Sequence, residues 1–163
     1  MSALSEIVEG HVEIAFVRYL EKLPLPPGFT AREIAREPLL VCLRKDHPLA
    51  QTARDIDIRE LAQEPIVHFP RYRNALCEQF IALCHDAGFE PRLEQEATQN
   101  STLLGLVAAG IGIAILPASQ SRLQLPETCV LPLKAGRTES IIWCVHPAGQ
   151  RSSLLDELLA LIR

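Results

Sequence analysis

The stretch Leu106-Val107-Ala108-Ala109-Gly110-Ile111-Gly112-Ile113-Ala114-Ile115-Leu116-Pro117 joins the end of an apolar helix to a buried strand. The apolar spacing upstream predicts a helix over Ser101–Ala109, and Gly110 ends it because glycine tolerates the left-handed backbone after a last turn. Ile111–Leu116 is a continuous apolar run, which is typical of a strand covered on both faces, and Pro117 stops it. The stretch therefore predicts one helix-to-strand unit of an α/β fold.

The same alternation of helix and strand runs through the rest of the chain. The strongest helix is predicted over Asn74–Ala87, where apolar residues form a stripe and Gly88 follows as the stop. Strands that alternate with helices predict a largely parallel sheet covered by helices on both sides. The other predicted segments are strands over Val12–Val17, Pro38–Leu43, Pro65–Phe69, Arg92–Ala97, Cys129–Leu133 and Ile141–Val145, an extended edge segment over Thr30–Arg36, short helices over Ser2–Glu9, Asp57–Gln63 and Ala118–Leu123, and a terminal helix over Ser152–Arg163.

Length and composition narrow the class of protein. The chain has 163 residues and a mass of 18.1 kDa, enough for one ordinary domain or two small lobes. Apolar residues make up 48% and charged residues 22%, which excludes a disordered chain and a coiled coil. With 16 basic and 20 acidic residues the net charge is −4. The chain alone is therefore a poor candidate for holding nucleic acid, which requires a basic surface.

Neither the N-terminus nor the cysteines indicate export or a membrane location. No apolar run approaches the roughly 20 residues that span a bilayer, and residues 1–6 lack the basic region and apolar stretch of a secretory signal. The cysteines form no CxxC pair, so zinc ribbons and thioredoxin-like motifs are not supported. Free cysteines in apolar settings predict a reducing, cytoplasmic location. The five cysteines are Cys42, Cys77, Cys84, Cys129 and Cys144.

Four stretches stand out when they are taken together. They are Glu9-Gly10-His11-Val12-Glu13-Ile14-Ala15-Phe16-Val17-Arg18, then Glu37-Pro38-Leu39-Leu40-Val41-Cys42-Leu43 with Asp46-His47-Pro48-Leu49-Ala50, then Ala87-Gly88-Phe89-Glu90-Pro91, and finally Leu106–Pro117. In order and spacing the set spans most of the chain and resembles the effector-binding domain of LysR-type transcriptional regulators. Each stretch alone is unspecific, but the combination is specific for that family.

The resemblance implies a two-lobed α/β fold like that of the type 2 periplasmic-binding proteins, with two strands crossing between the lobes. By this resemblance, residues 1–64 and 140–163 form the first lobe and residues 65–139 form the second, with crossings near Pro65–His68 and Val130–Leu133. The family's domain normally opens with a strand, a helix and a second strand that have no counterpart here. The first lobe is therefore expected to be incomplete, with open sheet edges that must pair, be covered or aggregate.

The loop Phe69-Pro70-Arg71-Tyr72-Arg73-Asn74 leads from the predicted first crossing into the strongest helix. Asn74 is expected to cap that helix. Arg71 and Arg73 would place guanidinium groups near the helix N-terminus, which favours carboxylate binding. Because the family places ligand contacts in this loop, the resemblance implies a ligand-binding role, with a solvated capping loop as the alternative. The residues implied are Phe69, Arg71, Tyr72, Arg73 and Asn74.

A second polar segment, Thr98-Gln99-Asn100-Ser101-Thr102, precedes the next helix, and any of its last three residues could cap that helix. The family uses this position for ligand contacts, so the resemblance implies a ligand-binding role here too, with capping alone as the alternative. Arg18, at the end of the Val12–Val17 strand, would reach the interlobe cleft from the first lobe, although an ordinary surface arginine fits equally well. The residues implied in the second segment are Thr98, Gln99, Asn100 and Thr102.

Cysteine and histidine chemistry is not favoured. Cys77 and Cys84 share one helix face, but about two turns, or roughly 10 Å, separate them. A disulfide requires Cα atoms within about 7 Å, so the two cysteines are expected to pack in the core. Peroxide-sensing members of the family, by contrast, use a cysteine pair. His47 matches a family turn and is expected to be structural. No metal-ligand spacing and no convincing phosphate loop exist, so no cofactor and no metal are expected.

The chain is thus interpreted as the effector-sensing part of a LysR-type regulator and not as an enzyme. A small anionic metabolite would enter the cleft, favour one lobe arrangement and shift the geometry of a homodimer or higher oligomer, and DNA would be contacted only through a winged helix-turn-helix domain. The family's dimers would pair Leu4–Glu9 with Leu76–Ala87, faces that could instead be buried within one chain. Two other classes stay open: a solute receptor of a transport system, or an enzyme using Cys84 or His68.

Overall fold

The computed structural model of the chain describes residues 3–20, 23–52, 54–71, 75–123, 125–135, 139–149 and 153–161. Among these residues, no helix is both long enough and apolar enough to cross a membrane. Short 3₁₀ segments cover Pro48–Thr52, Ile58–Leu61 and Gln120–Arg122. The strands are β1 (Ala15–Leu20), β2 (Phe29–Arg44), β3 (Ile56–Asp57), β4 (Pro65–His68), β5 (Arg92–Glu96), β6 (Ala114–Pro117), β7 (Thr128–Lys134) and β8 (Glu139–Pro147), and the helices are α1 (Ala3–Val8), α2 (Ala75–Asp86), α3 (Asn100–Ala108) and α4 (Ser153–Leu161).

Strand β2 organises the fold because it runs through two sheets. Its residues 29–38 pair antiparallel with β8, which also pairs with β1, and we call these strands the first sheet. Its residues 39–44 lie between β6 and β7, and with β3 these strands form the second sheet. Pro38 lies where the partners change, at the end of the β2–β8 ladder, so its missing N–H interrupts neither sheet. The edge segment and the buried strand of the sequence prediction are therefore one continuous strand.

Strands β4 and β5 pair in parallel and reach the second sheet through a bridge between Ile66 and Ile113, just before β6. The expectation of a largely parallel sheet is wrong: in the described part of the chain, β1–β8, β2–β6, β2–β7 and β2–β8 are antiparallel. Only β3–β7 and β4–β5 run parallel there. Strands β7 and β8 follow each other along β2 in the opposite direction, β7 beside residues 40–44 and β8 beside residues 29–38.

Buried apolar side chains fix the helices to the sheets. The predicted stripe of α2 is confirmed, because Leu76, Phe80 and Leu83 pack into the cluster that contains Leu39 and Leu61. Full burial of one such side chain stabilises the fold by about 1.5–3 kcal/mol relative to leaving it exposed. A second cluster holds α3 against β6, and a third holds α1 against the first sheet. The apolar face of α2 is therefore buried within the chain.

Strand β1 lies at a sheet edge and differs from its predicted position. It covers Ala15–Leu20 instead of Val12–Val17, so Arg18 lies inside the strand and not at its end. Among the described residues β1 pairs only with β8, and Phe16 on it is 52% exposed. Within the described part of the chain β1 is therefore an edge strand of the first sheet.

The lobe boundaries between residues 64 and 65 and between residues 139 and 140 stay a prediction. The hydrogen-bonded partners of β2 change between Pro38 and Leu39, whereas β4 lies beside β5 and close to β6. The predicted second crossing, Val130–Leu133, lies in β7, where it pairs with β2 and β3. These pairings make the 38–39 junction of β2 one position at which the chain passes between the sheets, and it passes between them again from β7 to β8.

Candidate functional site

A cluster of polar side chains lies where the two sheets meet. The Arg18 guanidinium on β1 donates to the Glu37 carboxylate on β2 and, at 2.9 Å, to the Ser140 hydroxyl on β8. Ser119, in the turn after β6, donates its backbone N–H to Glu37 at 2.5 Å and its hydroxyl at 2.9 Å. The side chains of Arg18 and Glu37 are only 22% and 14% exposed, so water screens their ion pair less than it would a surface pair.

Glu37 is held in its charged form by this cluster. Burial acts to raise the pKa of its carboxyl group, but the hydrogen bonds from Arg18 and from the Ser119 N–H and hydroxyl outweigh that effect. The pKa of Glu37 therefore lies below its ordinary value. An ionised carboxylate with several donors is a fixed feature of the site at neutral pH.

The second predicted segment lies at the start of α3. Gln99 occupies the N-cap position with no side-chain cap hydrogen bond, and the first turn carries no acidic residue. The expectation that Asn100, Ser101 or Thr102 caps the helix is therefore wrong. Asn100 belongs to the helix itself, and its Nδ2 donates to the Gln120 carbonyl at 3.1 Å. A helix N-terminus that no side chain caps leaves backbone N–H groups available to an anion.

Two buried acceptors lie in the same region without a donor. Within the described residues, the buried side-chain atoms that lack a hydrogen-bond partner are Asn100 Oδ1, Gln120 Oε1 and Trp143 Nε1. The first two come from residues that contact each other through the Asn100–Gln120 hydrogen bond. Because a buried acceptor without a donor costs about 1–3 kcal/mol, a bound group that donates a hydrogen bond here would be favoured.

The exposed residues of this segment are available to solvent. Thr98, Gln99 and Thr102 are exposed, whereas Asn100 is half-buried. Phe69 lies close by, since it packs against the cluster that contains Leu103, and the Ala97 N–H donates to the His68 carbonyl at 2.8 Å. The structure therefore brings Phe69 and the start of α3 together, and Ser119–Gln120 connects them to Arg18 and Glu37.

The loop Phe69–Asn74 is less well placed for ligand binding than the start of α3. Arg71 is exposed and forms an ion pair with Glu78 on α2, with Nε–Oε1 and Nη2–Oε2 distances of 2.5 and 3.1 Å. Its guanidinium is thus used by its own neighbouring helix. Tyr72, Arg73 and Asn74 lie outside the described residues, so their predicted roles, like that of Arg71, stay predictions.

Cavities lie both beside this region and elsewhere. A small apolar cavity of about 30 Å³ beside Phe69, between α2 and α3, is also lined by His68, Cys77 and Leu103. That volume has room for about one water molecule and is too small for a metabolite. A cavity of about 420 Å³ is lined by Asp57, Arg59, Asp86 and Lys134, and one of about 320 Å³ by Arg44, Asp46, His47 and Glu64, with other residues. Of the predicted site residues that the structure describes, none lines either of the larger cavities.

The cysteines are unpaired and buried or half-buried, as core packing predicts. Burial raises the pKa of Cys84 to about 12 and that of Cys42 and Cys77 to about 11. The Cys77 Sγ lies 3.9 Å from His68 Nδ1, which also lies 2.8 Å from the Phe69 carbonyl. A thiol with so high a pKa is not an activated nucleophile, so this pair does not favour an enzyme.

We expect the native thiols to react slowly with a disulfide reagent. At pH 8 a pKa raised from about 9 to about 11 lowers the thiolate fraction about a hundredfold, and burial slows access further. Half-buried Cys129 should react first, and all five cysteines should react fast in denaturant. Absorbance of the released thiol would measure this, and fast labelling of Cys77 or Cys84 in the native chain would contradict it.

Sequence reasoning missed Glu37, Ser119, Gln120 and Ser140. The sequence contains two signals for them. Glu37 is a lone glutamate directly before a buried apolar run, and Ser119-Gln120 is a polar pair shortly after Pro117, which ends the predicted strand. His47 is structural as expected: its Nδ1 accepts from the Leu49 N–H at 3.2 Å, and its Nε2 lies 3.2 Å from Glu64 Oε2.

The shared strand, the two sheets and the helices packed on them define the class of α/β domains with the type 2 periplasmic-binding-protein-like fold. The family model of the LysR substrate binding domain matches residues 2–163. The chain belongs to this family, whose members include LysR-type transcriptional regulators.

Relatives of known name are transcriptional regulators. The uncharacterized HTH-type transcriptional regulator YnfL of Escherichia coli (strain K12) is 32% identical over 151 residues, which cover 92% of this chain and 50% of that protein. The HTH-type transcriptional regulator TtuA of Agrobacterium vitis is 34% identical over 131 residues, 80% of this chain and 42% of that protein. The chain thus spans about half the length of these relatives. They favour a regulator over an enzyme or a solute receptor.

Solved structures of similar fold include the BenM effector binding domain with its effector benzoate. It has a TM-score of 0.83 and 27% identity, and the match covers 98% of this chain and 71% of that chain. Full-length BenM matches with a TM-score of 0.84 and 26% identity, and the match covers 98% of this chain and 52% of that chain. Full-length CbnR complexed with target DNA has a TM-score of 0.82 at 22% identity, covering 99% and 55%, and shares the fold.

Proposed function

We propose that the chain senses a small anionic metabolite, which binds in the cleft between the two lobes and thereby modulates transcription. The observation that carries this proposal is the uncapped, acid-free start of α3 beside the Arg18–Glu37–Ser119 cluster, within a LysR substrate binding domain. The described residues proposed to line the ligand site are Arg18, Phe69, Arg71, Thr98, Gln99, Asn100 and Thr102.

The chemistry of the start of α3 supports an anion. Its first backbone N–H groups point along the helix axis, carry the positive end of the helix dipole, and face no acidic side chain in the first turn. Thr98 and Thr102 add exposed hydroxyl groups that can donate to a carboxylate. The unpartnered acceptors Asn100 Oδ1 and Gln120 Oε1 favour a metabolite that also carries a hydrogen-bond donor.

The link to transcription is proposed from the relatives. The chain corresponds to about half of the regulators it matches, and CbnR was solved on its target DNA. DNA would be contacted through a winged helix-turn-helix domain. Two or more copies of the protein would associate, so that a change of lobe geometry alters how their DNA-binding domains bind a promoter. A transcriptional role and unpaired cysteines support a cytoplasmic location.

A thermal-shift screen of small carboxylates tests the ligand class. Benzoate, the effector of the similar BenM domain, is the first probe. A carboxylate at a hundredfold excess over its dissociation constant should add about 2.7 kcal/mol to the free energy of unfolding. Gln99→Glu should remove this stabilisation, because it places a negative charge at the start of α3.

The charge change itself should not unfold the protein. An acidic side chain at a helix N-terminus stabilises the helix by about 0.3–1 kcal/mol, so Gln99→Glu should melt at or above the wild-type temperature without ligand. Gln63→Glu, the same change at an exposed position in the turn before β4, should leave the ligand shift intact. A carboxylate shift that survives Gln99→Glu, or a screen in which no carboxylate stabilises the chain, would speak against the proposal.

A further inference from the structure

The Glu37 side chain is hydrogen-bonded to two segments that are far apart in the sequence. Ser119, which donates two hydrogen bonds to it, lies 82 positions away. Arg18 joins the same carboxylate to β1 and also reaches Ser140 on β8, 122 positions from itself. The Glu37 carboxylate therefore accepts hydrogen bonds from two distant segments, and Arg18 connects it further to Ser140.

These donors come from different sheets. Arg18 lies on β1 of the first sheet, as does its acceptor Ser140 on β8, whereas Ser119 lies two residues after the end of β6 in the second sheet. Glu37 itself is the residue before Pro38, where β2 changes its partners. In addition, the Ala118 N–H donates to the Pro38 carbonyl at 3.0 Å, so the turn after β6 is attached to this junction by its backbone too.

The same turn is connected to the start of α3. Gln120, the residue after Ser119, accepts the hydrogen bond of Asn100 through its backbone carbonyl. A group that binds at the start of α3 and displaces Asn100 or Gln120 therefore moves the neighbouring donor of Glu37. A second contact between β1 and α2, from the Leu20 N–H to Gln79 Oε1, is uncharged and does not involve this turn.

We propose that Glu37 is a positioning residue, a latch that sets the angle between the two sheets by holding Arg18 and Ser119 at once. This inference rests on the proposed function, because it makes the latch the connection between the ligand site at α3 and the arrangement of the lobes. Loss of the charge on Glu37 weakens its hydrogen bonds from Arg18 and from Ser119, and the first sheet then moves relative to the second.

Amide residual dipolar couplings of the ¹⁵N-labelled chain test the latch without any ligand. In the wild type, the couplings of β1 and β8 and those of β6 and β7 should fit one common alignment tensor, which means that the two sheets keep one relative orientation. In Glu37→Gln, an isosteric change, the two sets should require different orientations or different degrees of order. The Ser119 amide proton should also exchange with solvent about tenfold faster or more, since a hydrogen bond to a charged group is lost.

Glu33→Gln is the matched control. It makes the same chemical change on the same strand, at an exposed ion pair with Arg36, and should leave the orientation of the sheets and Ser119 exchange unchanged. Ser119→Ala removes one of the two Ser119 donors and serves if Glu37→Gln fails to fold; it should change the orientation in the same direction by less. Couplings that fit the wild-type orientation in both Glu37→Gln and Ser119→Ala would overturn the latch.

Failure of the latch and failure of the ligand proposal give different results. If benzoate or another carboxylate stabilises the wild type through the start of α3 while Glu37→Gln keeps the wild-type orientation, only the latch is wrong. If no carboxylate binds and Glu37→Gln changes the orientation, the latch stands as a structural connection and its link to a ligand is wrong.

Discussion

Gly112→Ala is expected to lower the free energy of unfolding by about 3 kcal/mol. A Cβ at Gly112 would lie 2.4 Å from the Pro65 carbonyl oxygen and 2.9 Å from the Pro65 carbonyl carbon, and backbone atoms cannot move aside as a flexible side chain can. The same carbonyl accepts the Ile113 N–H at 2.8 Å, in the bridge that attaches β4 to the second sheet. The new methyl group would push these two segments apart. Urea unfolding, followed by circular dichroism, measures the change.

Gly105→Ala provides the matched control for this change. Gly105 lies in α3, and a Cβ there would meet no atom within 4 Å. Because alanine favours a helix over glycine, this variant should be unchanged or more stable by up to about 1 kcal/mol. A Gly112→Ala chain as stable as the Gly105→Ala chain would contradict the close approach of the segment before β6 to β4.

Leu39→Ala is expected to destabilise the chain by about 2–5 kcal/mol. Leu39 is fully buried, and it is the first residue of β2 in the second sheet, paired with Pro117. Its removal leaves a cavity in the cluster that joins this sheet to α2 and that also contains Leu76 and Phe80. The urea midpoint should fall while the dependence of the free energy on urea stays constant.

Leu123→Ala makes the same change at a surface position. Leu123 is 66% exposed, so its truncation should change the free energy of unfolding by less than about 0.5 kcal/mol. Equal losses in Leu39→Ala and Leu123→Ala would show that β2 does not pass through a packed core at residue 39.

Local signals in the sequence predicted the helices and the buried segments well. The stripe of α2 follows from apolar spacing, and Gly110 has a φ of 77°, which is the left-handed backbone expected after a helix. The strand after Gly110 was predicted over Ile111–Leu116, whereas β6 covers Ala114–Pro117 and Ile111 is exposed. Four of the five cysteines are buried in the core, as their apolar neighbours indicate. These features depend on residues close in the sequence, so a single sequence contains the information.

The direction and partners of the strands could not be predicted from such signals. Alternating helices and strands suggested parallel pairing, but β7 and β8 return antiparallel along β2. The sequence predicted an edge segment over Thr30–Arg36 and a separate strand that begins at Pro38, where the structure has the single strand β2. The strand continues through Pro38 since the hydrogen-bonded partners change there, a fact that only the positions of β6, β7 and β8 establish.

The candidate site was predicted in part. Arg18 and the segment before α3 were both predicted, with support from the family resemblance. The segment also stood out as a polar run between apolar elements. The partners of Arg18 were not predicted, because Glu37 and Ser119 meet only through the tertiary fold, 82 positions apart. The choice of Asn100 as a cap failed for the same reason: its amide donates to the distant Gln120 carbonyl.

Mapping of backbone amide chemical shifts during titration with benzoate, and with any other carboxylate that stabilises the chain, tests the ligand site most directly. The shifts are expected to concentrate at Thr98–Thr102, at Arg18 and at Ser119–Gln120. Shifts concentrated instead around the cavity of Asp57 and Lys134 or that of Arg44 and His47, with none at the start of α3, would contradict an anion site at the junction of the two sheets.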